Sequence, residues 1–178
     1  MPRSLRSGNL ALDAGPLFTY LLLHFLDRTG MGKARRDALL RDCRGNDPAP
    51  FAETEQDAFR QLLKTHHALT TAYVITEVFR LREHALLRQH QAEFRRFALE
   101  PFTAGAIEEF PCSLRAMCAQ TGLAELIYRL GPADTSVLYL GSTEQCLVLT
   151  DDGRMFEAFA PGTRFRIRLL REYLGTAP

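Results

Sequence analysis

The stretch Asn9-Leu10-Ala11-Leu12-Asp13-Ala14-Gly15-Pro16-Leu17 constrains this chain more than any other. It reads as a short apolar strand that ends in a carboxylate. Gly15-Pro16 then turns the chain into an apolar helix from Leu17 to about Asp27. A strand buried on both faces shows a run of apolar residues rather than alternation. An acid at its carboxyl end sits where open α/β sheets place their ligands. Pro16 suits the first turn of the helix, where its missing N–H costs nothing. One strand-end acid is weak evidence alone, so the rest of the chain is read for others that reach the same rim.

With 178 residues the chain has room for one domain with a sizeable core. Leu17 to Leu26 is too short to span a bilayer, and His24 interrupts it. The Met-Pro-Arg-Ser-Leu-Arg start lacks the long apolar core of a secretion signal. Cys43, Cys112, Cys118 and Cys146 form no Cys-x-x-Cys pair, with Cys112 and Cys118 read in a helix and Cys146 in a strand. The expectation is a cytoplasmic protein with reduced thiols, no zinc site and no membrane association. A net charge of +1 argues against a purely electrostatic nucleic-acid binder. Twenty of the twenty-two basic residues are Arg. Arg suits bidentate contacts to phosphate, although a GC-rich genome explains the bias equally well.

Further along, Arg28 to Gly32 reads as a turn and Lys33 to Arg44 as a basic helix. Gly45 to Pro50 is a loop. A helix is expected from Glu55 to His67, capped by Thr54 with Asp57 as an approximate capping box. Thr70 to Thr76 is rich in β-branched and aromatic residues and reads as a second strand ending at Glu77. A long helix follows, Val78 to Leu99, and then a short strand, Ala106 to Phe110. Pro111 to Gln120 and Leu123 to Leu130 read as helices, broken at Thr121-Gly122. Gly131-Pro132 opens a helix through Tyr139, with Asp134 in its first turn. Cys146 to Thr150 is a strand ending in Asp151 and Asp152. Thr163 to Leu169 alternates cleanly: Phe165, Ile167 and Leu169 on one face, Arg164, Arg166 and Arg168 on the other. That is a half-exposed edge strand.

Strands alternating with helices imply a parallel sheet covered on both faces, so all carboxyl ends share one rim. Asp13, Glu77 and Asp151/Asp152 would crowd that rim, and Asp134 could join them from a helix start. Clustered carboxylates repel one another unless a cation neutralises them. Hard divalent ions such as magnesium or manganese take oxygen ligands. Two such ions about 4 Å apart can activate water and stabilise a leaving oxygen of a phosphodiester. No Gly-rich phosphate loop occurs, which excludes that route to nucleotide hydrolysis.

Leu-Ala-Leu-Asp13-Ala-Gly-Pro-Leu resembles the first motif of PIN-domain nucleases, and Val-Ile-Thr-Glu77-Val their second. Leu-Gly-Pro-Ala-Asp134-Thr-Ser-Val-Leu resembles the third, and Leu-Val-Leu-Thr150-Asp-Asp152-Gly-Arg the fourth. The four occur in family order and span Leu10 to Phe156. The resemblance implies a three-layer α/β/α PIN-like fold with a parallel sheet of four to five strands. It implies one nuclease domain over residues 1–178, with an insertion at about 28–53. It also implies magnesium- or manganese-dependent cleavage of RNA by metal-activated water, as in toxins of the VapC type, with an antitoxin protein and a homodimer as possible partners. Asp13, Glu77, Asp134 and Asp152 would be the catalytic, metal-binding set, with Thr150 and Asp151 in support. Ala14 departs from the family pattern, where many members carry a hydroxyl residue. The long Asp13–Glu77 segment departs from that of the compact toxins.

Each acid also has a plainer explanation: a capping or turn acid for Asp13, a first-turn acid favoured by the helix dipole for Glu77 and Asp134. Asp151 and Asp152 precede Gly153 and suit a turn. Neighbouring side chains diverge, so only one of that pair can face Asp13; the motif register selects Asp152, and Asp151 is then free to cap a helix starting near Arg154. Arg35, Arg36 and Arg41 on the basic helix, with Arg80 and Arg88 on the later one, are candidate RNA-backbone contacts or a solvated surface. The leading expectation is a PIN-class endoribonuclease. The alternatives are a non-catalytic PIN-like RNA- or protein-binding module and, last, a receiver-type phosphoacceptor, which lacks the Lys wanted after a late strand.

Overall fold

β1 spans Asn9–Leu12, and Leu10, Ala11 and Leu12 are sealed from solvent. Such a strand belongs in the middle of a sheet covered on both faces. The computed structural model, which describes residues 8–44, 52–82, 88–159 and 166–176, places it there. β1 pairs in parallel with β2 (His67–Thr71) on one side and β4 (Leu147–Thr150) on the other. β3 (Ile107–Phe110) extends the sheet beyond β2, and β5 (Arg166–Leu169) extends it beyond β4. The order is β3-β2-β1-β4-β5. The architecture is the expected α/β/α, with five parallel strands. Of the expected strand Thr163–Leu169, the first three residues lie outside the described set. Ile167 is buried while Arg166 and Arg168 are exposed, as an edge strand requires.

α1 (Ala14–Thr29) starts three residues earlier than expected. The Asp13 carboxylate accepts the Ala14 N–H and begins the helix directly after β1. Gly15 and Pro16 therefore lie inside its first turn. Gly30, in the left-handed region at φ 61°, ends it. α2 (Lys33–Arg44) has the expected bounds, and Gly45 to Pro50 lies outside the described residues. α3 (Glu53–Thr65) is not capped by Thr54. Instead the Glu55 carboxylate accepts the Ala52 backbone N–H at 2.7 Å, the half of a capping box that needs no hydroxyl.

The second strand corrects the sequence reading. β2 ends at Thr71, and Ala72–Glu77 forms α4, so Glu77 sits on a helix and not at a strand end. Thr71 caps α4 by accepting the Val74 N–H, and Val74 is fully buried. Cap and burial together override the β propensity of Val74, Ile75 and Thr76. Val78–Arg82 then widens into a π-helical turn, and α5 (Arg88–Ala98) follows. The single helix expected over Val78 to Leu99 is thus broken, with residues 83–87 outside the described set. The remaining helices are α6 (Glu100–Thr103), α7 (Leu114–Ala119), α8 (Leu123–Leu130), α9 (Pro132–Thr143), α10 (Gly153–Phe159) and α11 (Leu170–Thr176). α9 runs four residues past the expected Tyr139. α7 is capped by Ser113, which leaves Cys112 ahead of the helix.

α1 packs beside α3 and α5 on one side of the sheet, and α9, flanked by α7 and α8, covers β2, β1 and β4. α1 is apolar around most of its circumference, which suits its burial. Its Phe18 and Phe25 each meet Phe94 of α5 with ring centroids 5.8 Å apart. Among the described residues no helix is long and apolar enough to cross a membrane. The close seat of α9 depends on Gly141, where an added Cβ would stand 2.6 Å from Val148 Cγ2 of β4. Val148 is stiff, fully buried and paired in register with Ala11.

Gly141→Ala should therefore destabilise the protein. Overpacking costs about 1–3 kcal/mol, and the helix-propensity gain of about 1 kcal/mol offsets only part of it. Urea unfolding should show a net loss of about 1–2 kcal/mol. Gly153→Ala, with nothing within 4 Å of its added Cβ, should show none. Equal midpoints for the two variants would mean that α9 can shift freely.

Candidate active site at the carboxyl rim

β1 and β4 are adjacent, yet the chain leaves them toward different neighbours. This is the switch point at which open α/β sheets form a crevice. Asp13 follows β1 and is only 4% exposed. One carboxylate oxygen accepts the Ala14 N–H at 2.7 Å, and the other accepts the Thr150 hydroxyl, also at 2.7 Å. Thr150 Oγ1 in turn accepts the Asp152 N–H at 2.9 Å. A buried hydroxyl thus ties the end of β1 to the end of β4.

A second hydroxyl relay sets the opposite wall. Thr71 Oγ1 accepts the Val74 N–H, and its own hydroxyl lies 2.6 Å from Ser136 Oγ. Ser136 Oγ donates to the Ala133 carbonyl at 2.6 Å. With Ser136 donating there, the Thr71 hydroxyl donates to Ser136. The relay pins the start of α4 to the start of α9, the two helices that carry Glu77 and Asp134.

Asp13, Glu77, Asp134, Asp151 and Asp152 all line one concavity of about 280 Å³, together with Ala14, Gly15 and Gly153. Asp134 records the crowding. Its carboxyl is pushed up to about 7, first by burial and then by the charges of Asp13, Glu77 and Asp152, with Arg154 pulling the other way. Asp152 behaves differently. Burial pushes it up, but the Arg154 side chain and the Arg154 and Met155 backbone N–H groups together hold it below the usual carboxylate range. Asp152, not Asp151, caps α10: its Oδ1 accepts the Arg154 N–H at 2.8 Å, and its Oδ2 lies 3.3 Å from Arg154 Nη2. This reverses the expectation that Asp151 is the cap. Asp151 is exposed and lies over Gly15, where an added Cβ would come within 2.7 Å of Asp151 Oδ2.

Among the described residues that line this space, the polar side chains are all carboxylates, which is the chemistry of hard divalent cations. Among the described residues no three Asp, Glu, His or Cys side chains are gathered tightly enough to grip an ion as they stand. The carboxylates line the space without closing on it. No family model, no curated protein and no solved structure matches this chain.

The basic candidates divide. Arg80 is exposed and lines a groove of about 910 Å³ that shares Glu77, Asp134 and Asp152 with the concavity. Among the described residues, none from α2 lines either space. Arg35 lies 3.2 Å from His90 Nε2, Arg36 pairs with Asp27 at 3.0 Å, and Arg41 is exposed. The Arg88 side chain lies outside the described set. Sequence reasoning missed Thr71 and Ser136, whose relay joins residues 65 positions apart. It also missed Arg154, and Gly15 as the seat of Asp151.

Two outcomes follow. Thr150→Val should leave the buried Asp13 carboxylate without its hydroxyl donor, at a cost of about 1–3 kcal/mol in urea unfolding. Asp134 holds its proton to a higher pH in the folded protein than its ordinary value of 3.8. A raised carboxyl means that the folded state binds more protons, so its contribution to stability is greatest at low pH and is lost as pH rises from about 4 to about 7. Asp134→Asn removes that titration. The variant's melting temperature, minus that of the wild type, should climb between pH 4 and pH 8. A difference that stays flat would show that neither burial nor neighbouring charge raises the Asp134 carboxyl.

Proposed function

We propose that this protein is a magnesium- or manganese-dependent endoribonuclease of the PIN class. The observation that carries this reading is that Asp13, Glu77, Asp134 and Asp152 line one concavity at the sheet's switch point; the raised Asp134 carboxyl, due first to burial and then to the charges of the other three, agrees with it. Asp13, Glu77, Asp134 and Asp152 would hold the cation. A divalent ion bound there supplies positive charge against the phosphodiester and lowers the pKa of water. The reaction adds water across one P–O ester bond, and the leaving oxygen takes a proton. Asp13 is held in one orientation by Thr150, so its position does not depend on a flexible side chain. The Thr71–Ser136 relay does the same for the helix starts that bring Glu77 and Asp134. Asp134, whose carboxyl is pushed up to about 7, would give up its proton more readily with a cation beside it. Among the described residues that line the concavity there is no Ser-His or Cys-His pair.

Two observations favour the second reading, a non-catalytic PIN-like module that binds RNA or protein. Asp152 already spends its oxygens on the α10 backbone and Arg154, and the acids stand apart from one another.

The deciding experiment is cleavage of a labelled RNA with manganese, with magnesium and with excess chelator. Cleavage should need the metal. Asp134→Asn and Asp152→Asn should each lower the rate at least a hundredfold, and Asp151→Asn should keep most of it. Cleavage that persists in chelator would falsify the metal mechanism. Manganese binding without cleavage of any RNA would select the second reading.

A further inference from the structure

The two carboxylate oxygens of Asp152 are engaged differently. Oδ1 accepts the Arg154 N–H at 2.8 Å and the Met155 N–H at 3.4 Å, so it holds the start of α10. Those donors are main-chain groups and stay whatever side chain stands at position 154. Oδ2 lies 3.3 Å from Arg154 Nη2, and among the described residues it meets no other donor. The cap and the ion pair are therefore separable: one oxygen serves the helix, the other serves the guanidinium.

The guanidinium is loosely held. Its side chain is 91% exposed, and its contacts to Asp152, 3.3 Å from Nη2 and 3.5 Å from Nε, are long for charge-assisted hydrogen bonds. Among the described residues it has no second partner. Asp152 lines both the acid concavity and the 910 Å³ groove, whereas Arg154 lines the groove alone. Arg154 thus reaches the shared carboxylate from the groove, on the far side from Asp13. It also opposes the charges of Asp13, Glu77 and Asp152 at the Asp134 carboxyl. One weakly tethered positive charge stands where the acids otherwise only repel one another.

Resting on the metal-site reading above, we propose that Arg154 is a built-in counter-ion that competes with the divalent cation for Asp152 Oδ2, holding that oxygen while no cation is bound and yielding it when one binds. A buried, well-formed pair would be costly to break and would block the site. An exposed pair is worth little and can be exchanged. Oδ1 keeps its backbone donors throughout, so α10 need not unwind. The Arg154 charge sets how much cation is needed to fill the site, and its loss makes filling easier.

The test is isothermal titration of manganese into the whole protein, with no RNA present. Arg154→Gln should tighten manganese binding about fivefold, the most that an exposed pair is worth. Arg154→Lys keeps the charge and should stay within about twofold of wild type, as should Arg80→Gln, which removes a groove cation that does not touch Asp152. Raising the salt to about 0.5 M should close most of the gap between Arg154→Gln and wild type, because it screens the pair. Melting temperatures without metal should match, since the cap is left intact. Arg154→Gln binding manganese no more tightly than wild type would overturn the proposal, as would Arg80→Gln tightening it equally. If Arg154→Gln binds more tightly yet no variant cleaves RNA, the counter-ion stands and the nuclease reading falls. If the wild type cleaves with manganese and Arg154→Gln binds it unchanged, the counter-ion falls alone. No manganese bound by any of the proteins would remove both.

Discussion

A carboxylate 4% exposed is tolerable only with hydrogen bonds to its oxygens, and Asp13 has them from the Ala14 amide and the Thr150 hydroxyl. The first sets where α1 begins. The second requires β4 to lie beside β1 with its end level with that of β1, which the register Leu12 to Leu149 provides. Helix start, strand neighbour and register therefore meet in one side chain. The acids on α4 and α9 come to a position that this pair has already fixed.

The walls of the concavity differ in stiffness. Asp13 and Thr150 are buried and bonded to each other, and Thr71 and Ser136 are buried in a relay of their own. Glu77 is followed by a π-helical turn, a geometry that often marks functional sites. Asp152 leans on an exposed guanidinium, an interaction that water and salt weaken readily. The rim therefore combines a fixed half at the sheet with a looser half at the helix ends.

Local patterns gave away most of the fold. The unbroken apolar run at Leu10 to Leu12 announced a central strand, and the alternation around Ile167 an edge strand. The boundary at Thr71 was not legible, because Val74-Ile75-Thr76 carries the composition of a strand. What makes it helical is a cap by Thr71 and the packing of Val74, and neither shows in propensity. Asp13, Asp134 and Asp152 were legible because each follows a recognisable strand end or helix start, whereas Glu77 was placed at a strand end and sits at the end of α4. Asp151 and Asp152 were assigned the wrong way round for capping, since either can cap a helix that begins at Gly153. The Thr71–Ser136 relay was invisible, because a pair of hydroxyls far apart in sequence leaves no local pattern.

The Thr150–Asp13 bond closes a loop of 137 residues. Contacts of such long range are made late in folding, after shorter loops have closed. A chain growing from its amino end can form β1, α1 and β2 well before β4 exists to pair with β1. Until then Asp13 has no hydroxyl partner, Asp152 has not been brought to the rim, and the concavity lacks one wall. The acids are spread through the sequence so that no early fragment gathers them. The concavity is therefore absent from the growing chain and forms only once the central strand has acquired its second neighbour.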